Sequence, residues 1–249
     1  MTGPMPDPVV RVRKPGPESP AHFIPSAPCI RVERILRIQG YSDLERVRPA
    51  ILTAAAAMAE EGRQLSRPAV AYRRLPVVYA RDGELDLGGG FKFHCKVFDR
   101  TLRDCTEVVP FVLTVGQELD ARVIELVNAG ELLEALLLET TGWLCIEDAT
   151  RQFKVHLRDE TLARGCRITS RLGPGYSYKV GDATCIWSLE EQPTLFAALG
   201  GTDLPASLMS SCAMQPKMSR SGLFGVAPLS PKPHMAGHAA APLHVVPAT

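Results

Sequence analysis

The densest grouping of ligand-binding chemistry in this sequence is Arg171-Leu172-Gly173-Pro174-Gly175-Tyr176-Ser177-Tyr178, where one cation, two glycines, a proline and two tyrosines fall within eight residues. Glycine lets backbone approach a ligand closely, and proline stiffens the turn that presents it. Main-chain N–H and C=O groups exposed in such a segment can meet a ligand's polar atoms directly. A guanidinium just upstream can hold a carboxylate through paired hydrogen bonds, and a tyrosine offers an apolar face with a polar tip. The same eight residues would serve equally well as a structural turn between a helix and a sheet, and spacing alone does not separate the two readings.

Other chemistry-bearing residues point elsewhere. Gly88-Gly89-Gly90 is followed by Phe91-Lys92-Phe93-His94, an alternating pattern that continues as strand. A phosphate cradle needs a glycine loop opening onto a helix N-terminus, so a bent strand or hairpin is the better reading. His94 and Cys95 are adjacent, which in a strand sends them to opposite faces and argues against a catalytic pair. His156 falls on the charged side of a helix and reads as solvated. The seven cysteines (Cys29, Cys95, Cys105, Cys145, Cys166, Cys185 and Cys212) contain no Cys-x-x-Cys, so zinc-knuckle and redox-pair readings fail and inert, mostly buried thiols are expected. His234, His238 and His244 stand in a Pro/Gly/Ala segment without a carboxylate or thiol nearby, a poor metal site. Gly-x-Ser-x-Gly, His-Glu-x-x-His and Gly-x-Gly-x-x-Gly are absent, and no catalytic residue is assigned.

Three zones organise the 249 residues. Residues 1–28 hold eight of the 21 prolines, and residues 228–249 hold five more, so both ends read as disordered tails around one domain over 29–227. Within it, Ile30–Arg37 reads as a strand. A helix follows over Pro49–Glu61, capped near Ser42 or Asp43 and closed by Gly62. Pro68–Ala80 suits a strand or two, and Asp82-Gly83 a tight turn. Val108–Val115 is a strong strand, with Pro110 suggesting a sheet edge. A helix then runs to about Thr141 with a break at Gly130. Gly142 punctuates, and a second amphipathic helix runs from Trp143 to Gly165. A short helical stretch is expected over Thr184–Leu199. The sum is an α+β domain, an antiparallel twisted sheet packed by helices.

At this point a resemblance enters. Arg171-x-x-Pro174-Gly175-Tyr176 resembles the S-adenosylmethionine-binding motif of the activation domain of cobalamin-dependent methionine synthase. A second segment agrees with it: Leu208, Ser211, Ala213, Met214, Pro216, Ser219, Ser221 and Gly222 fall at the spacing of that family's Thr-Glu-Ser-x-Ala-Met-x-Pro-x-x-Ser-x-Ser-Gly strand pair. The two segments occur in the family's order with a helical stretch between them. The likeness covers about Arg171 to Gly225 and weakens toward Val108. It also departs from the family. Ser177-Tyr178-Lys179-Val180-Gly181-Asp182 stands where the family has Pro-x-Cys-Pro-Asp-His, and Ser210 stands at the acidic position. No Asp-x-His-x-x-Gly occurs, so no cobalamin-ligating histidine is implied.

The resemblance implies a stand-alone reactivation subunit that binds S-adenosylmethionine and supports reductive remethylation of cob(II)alamin carried by a partner. That partner would be a cobalamin-binding methionine synthase core or corrinoid protein, with a reductase or a ferredoxin- or flavodoxin-type electron donor. Arg171 would meet the methionyl carboxylate; Gly173, Pro174 and Gly175 would expose main-chain groups; Tyr176, Ser211 and Ala213 would border the ligand. Two rival readings are a corrinoid-protein interaction module that has lost S-adenosylmethionine binding, and an independent methyltransferase acting on a small molecule. Lys plus Arg number 28 against 27 Asp plus Glu, with 6% aromatics, which argues against a nucleic-acid surface. No apolar run reaches the roughly 20 residues of a membrane span. With Met1-Thr2-Gly3-Pro4 and no apolar segment behind it, a cytoplasmic chain is expected.

Overall fold

The strand expected over Val108–Val115 forms over Glu107–Thr114 at the centre of the main sheet, and the rest of the molecule is arranged on its two faces. The computed structural model describes residues 19–200 and 203–229. In chain order the first half comprises β1 (Ala21–Phe23), α1 (Val32–Ile38), α2 (Pro49–Leu65), β2 (Ala69–Tyr72), β3 (Leu75–Pro76), β4 (Tyr79–Arg81), β5 (Glu84–Asp86), β6 (Lys92–His94), α3 (Val97–Thr101) and β7 (Glu107–Thr114). The second half comprises α4 (Glu118–Asn128), α5 (Leu132–Ala163), β8 (Cys166–Ile168), β9 (Ser177–Val180), β10 (Ala183–Ile186), α6 (Gln192–Leu199), β11 (Ser207–Leu208), β12 (Met214–Gln215) and β13 (Ser219–Pro228). The main sheet is antiparallel in the order β1-β2-β7-β13-β8, with β3 also on β7. This is the α+β domain with an antiparallel sheet that the sequence led us to expect.

The period of two along the central strands gives the sheet two buried faces. Val109, Phe111, Leu113, Phe224 and Val226 pack toward the helices α1, α2, α4 and α5. Val108, Val112, Leu223 and Ala227 pack the other way, against α3, α6 and the small hairpins, around the fully buried Trp187, Phe93 and Phe98.

Several local expectations are corrected. The run assigned to a strand over Ile30–Arg37 instead carries most of helix α1 (Val32–Ile38), because Ile35 and Leu36 are both buried on the helix-side core; adjacent buried residues fit a helical stripe and not an alternating strand. Asp43 caps a single 3-10 turn at Leu44–Arg46, and α2 instead starts on Pro49. Gly62 does not close α2, which runs to Leu65; a Cβ on it would lie 2.4 Å from Thr141 Cγ2. Gly142 likewise sits inside a single 32-residue helix, about 48 Å long, where a Cβ would lie 2.9 Å from Leu119 Cδ2. Both glycines allow close packing between elements. The break at Gly130 and the stop at Gly165 stand, each with positive φ.

Pro110 is not at an edge: β7 pairs with β13 on one side and with β2 and β3 on the other. Its carbonyl accepts from Arg73 N–H at 3.1 Å, so its missing donor faces the Arg73–Arg74 break between β2 and β3, where no ladder bond is lost. Thr184–Ile186 is strand β10, hairpinned to β9 across Gly181, and helix α6 begins only at Gln192. His156 is packed rather than merely solvated, stacked on Phe23 at 4.5 Å. That contact belongs to β1, which lies within the stretch assigned to the N-terminal tail; Pro20 and Pro25 leave room between them for a three-residue strand paired to β2. Pro228, assigned to the C-terminal tail, closes β13. The rest of the two tails, 1–18 and 230–249, with the three tail histidines, lies outside the described residues. Among the described residues no helix is long and apolar enough to cross a membrane.

Candidate functional site

The Arg171–Tyr176 segment hangs from the sheet by one isolated bridge. Leu172 and Leu223 exchange both main-chain hydrogen bonds, at 2.9 and 2.8 Å. Gly222 makes this possible, since a Cβ there would lie 2.3 Å from the Leu172 carbonyl oxygen. Gly175, at φ +81°, then turns the chain, and its N–H donates to the Trp187 carbonyl at 2.7 Å while Trp187 N–H donates to Tyr176 O at 3.2 Å. Trp187 is itself buried and donates from Nε1 to Glu191 at 2.6 Å. The corner is therefore pinned on both sides by backbone, yet Tyr176 remains 43% exposed.

Arg171 stacks its guanidinium on the Tyr176 ring, 4.5 Å from the centroid, and donates to the Ser221 carbonyl at 3.4 Å. Neither contact neutralises it. The expectation that Gly173 exposes main-chain groups is corrected: Tyr178 Oη accepts from Gly173 N–H at 2.7 Å and donates to Gly173 O at 3.0 Å. Burial raises the Tyr178 phenol above its ordinary range, so the hydroxyl stays protonated for this dual role. Gly173 and Pro174 are buried and Gly175 is exposed.

Opposite this corner lie the β11–β12 hairpin and the start of β13, and between them opens a cleft of about 270 Å³. Pro174, Tyr176 and Ala213 line it, so residues from both recognised segments face the same space. Arg171 stands beside it against Tyr176. Ser211 is exposed on the β11–β12 connection, 3.5 Å from Ala213 N, and is not among the lining residues.

Six lining residues went unassigned in the sequence reading: Trp143, Leu189, Gln192, Cys212, Lys217 and Arg220. Trp143, read as the first residue of the second amphipathic helix, lies inside α5 and is 44% exposed. Gln192 is buried and ties the 212 turn to β13, donating to Cys212 O at 2.8 Å and accepting from Ser221 Oγ at 3.0 Å. Arg220 is buried and reaches back to α5, bonding Thr150 Oγ1 at 3.1 Å and Glu147 at 2.5 Å. That hydrogen bond holds the Glu147 carboxyl below the usual range against a smaller rise from burial, with Arg171 and Arg34 adding to the effect. Three guanidinium groups thus act on one carboxylate. Arg220 is the second residue of β13, and its bonds to Glu147 and Thr150, 73 and 70 positions away, leave no trace in the spacing. Among the described residues, no group of three or more His, Cys, Asp or Glu side chains could hold a metal ion.

No protein-family model and no curated protein sequence matches the chain. Among solved structures it is similar to the MetH reactivation domain bound to AdoHcy, with a TM-score of 0.53 and 14% sequence identity, over 86% of this chain and 80% of that one. At this identity the likeness is one of fold.

Proposed function

We propose that the chain is a stand-alone activation-domain-like subunit that binds S-adenosylmethionine. It would support reductive remethylation of cob(II)alamin held by a methionine synthase core or corrinoid protein, with electrons from a reductase or a ferredoxin- or flavodoxin-type donor. One observation carries the reading: the Arg-x-x-Pro-Gly-Tyr corner and the Ala213–Ser221 segment, distant in sequence, become the facing walls of one open cleft. The fold shared with a reactivation domain supports it.

The lining suits a ligand that is zwitterionic at one end and aromatic at the other. Arg171, beside the cleft, acts on Glu147 only through space and makes no salt bridge among the described residues, so its guanidinium can meet the ligand's carboxylate. Trp143 and Tyr176 supply ring faces within the lining. When bound, S-adenosylmethionine supplies a methyl group on a sulfonium centre. The chain contributes orientation, fixing that end of the ligand toward the cleft mouth, and needs no acid or base for it. Trp143, Tyr176 and Leu189, each more than 40% exposed, give the mouth an apolar rim on which a partner's surface can seat.

Titration calorimetry with S-adenosylmethionine tests this. Saturable binding is expected, and Arg171→Ala is expected to weaken it about tenfold or more, the worth of one charge-assisted contact. No heat, or affinity indifferent to Arg171→Ala, refutes it. The second reading, a corrinoid-protein interaction module without S-adenosylmethionine binding, draws on Tyr178. This residue belongs to the 177–182 stretch that departs from the family, and its hydroxyl occupies the Gly173 amide that a ligand would use. Under that reading the chain binds a cobalamin-loaded partner and gives no heat with the small molecule.

A further inference from the structure

Cys95 and Cys185 are 90 positions apart in sequence, yet their sulfur atoms lie 3.5 Å from each other. Among the described residues no other two thiols are in contact. Cys95 follows β6 and is held rigidly, its N–H donating to Gly83 O at 2.8 Å and its carbonyl accepting from Phe98 N–H at 3.0 Å. Cys185 lies on β10, directly across the hairpin from Tyr178. Both thiols face a cavity of about 450 Å³ with His94, Lys96, Ala183 and Ile186 in its wall. Cys95 is buried and Cys185 is partly accessible. Without a Cys-x-x-Cys the pair is invisible in the sequence, because these two residues meet only in the fold.

We propose that Cys95 and Cys185 form a reversible disulfide under peroxide, a modification site that fastens the β9–β10 hairpin to the end of β6. The sulfurs need approach by only about 1.5 Å to reach bonding distance. The cavity admits a small peroxide to Cys185. Its thiolate takes one peroxide oxygen and becomes a sulfenic acid as hydroxide leaves and is protonated to water. The Cys95 sulfur then displaces the sulfenic oxygen as a second water. In sum, two thiols and one hydrogen peroxide give one disulfide and two waters. Cys185, the partly accessible sulfur, is the one the peroxide reaches first, and buried Cys95, its thiol raised by burial, is the one that resolves. The consequence reaches the cleft, because the tethered hairpin carries Tyr178, whose hydroxyl holds Gly173. The proposal itself does not depend on what the cleft binds.

The test uses the full reduced chain treated with a modest excess of hydrogen peroxide, then alkylation of remaining thiols and peptide mapping by mass spectrometry. The expected result is an intramolecular Cys95–Cys185 linkage, a loss of two of the seven thiols that dithiothreitol restores. Cys185→Ser, at a partly accessible position that should tolerate it, is expected to abolish the linkage. Recovery of both cysteines as alkylated thiols overturns the proposal, as does Cys185 advancing to sulfinic acid while Cys95 stays alkylated. A disulfide that pairs either residue with a different cysteine overturns it too. None of these readouts involves S-adenosylmethionine, so they stand or fall separately from the proposed function.

Discussion

At the tip of the β5–β6 hairpin, Gly88, Gly89 and Gly90 take φ values of +72°, +60° and +87°, and a Cβ on any of them would meet nothing nearer than 3.5 Å. At the root of the cleft the demand is reversed. A Cβ on Gly222 would lie 2.3 Å from Leu172 O, and one on Gly173 would lie 3.1 Å from Ser221 O. The first cluster supplies a backbone conformation that other residues reach only with strain; the second supplies contact between two backbones that no side chain can separate. Glycines of the second kind build the candidate site, because they let the Arg171–Tyr176 corner lie directly on β13.

The largest effect should come from attacking that clasp. Gly222→Ala forces Leu172 off Leu223 and is expected to cost about 3 kcal/mol of stability by chemical denaturation, with loss of ligand binding. A variant of native stability would show that the clasp yields and that the contrast is false. Next comes the charge that ties the same strand to α5. Arg220→Ala removes bonds to Glu147 and Thr150 and should cost about 1.5 kcal/mol at neutral pH, a figure kept low because Glu147 is half-exposed. The Glu147 carboxyl is depressed in the folded state, so its contribution is complete above the ordinary carboxylate range and fades as pH falls through the folded value. Denaturation at a series of pH values should therefore show the gap between wild type and variant narrowing below about pH 4.5. A gap constant with pH would assign the loss to packing. The smallest effect is expected at the hairpin tip, where Gly90→Ala should cost about 1 kcal/mol from positive φ alone and leave ligand affinity unchanged.

The same distinction explains which features could be read from the sequence. The strong alternation of Val108–Val115 survives as β7 because both faces of that strand are buried under apolar layers. Gly130 and Gly165 were legible as helix ends because positive φ there is a local demand. Gly62 and Gly142 were misread as stops because the demand on them is imposed by Thr141, Leu119 and Met218, neighbours that only the tertiary structure supplies. The short run at 30–37 carries apolar residues compatible with either period, and its burial against the helix-side core decided for helix. In the cleft, Pro174, Tyr176 and Ala213 were reachable through motif spacing. Gln192 and Arg220 were not, since their roles lie in joining β13 to the 212 turn and to α5. The Gly173 amide was expected open and is closed by Tyr178, a partner five residues away whose direction spacing alone cannot give.

The central claim is that one ligand touches both walls at once. Hydrogen exchange of the full chain, with and without saturating S-adenosylmethionine, tests it directly. The account predicts slowed exchange in residues 171–178 and 212–222 together, with the hairpin tip at 88–90 unchanged. Saturable binding that protects only one wall, or protects residues remote from both, would contradict it.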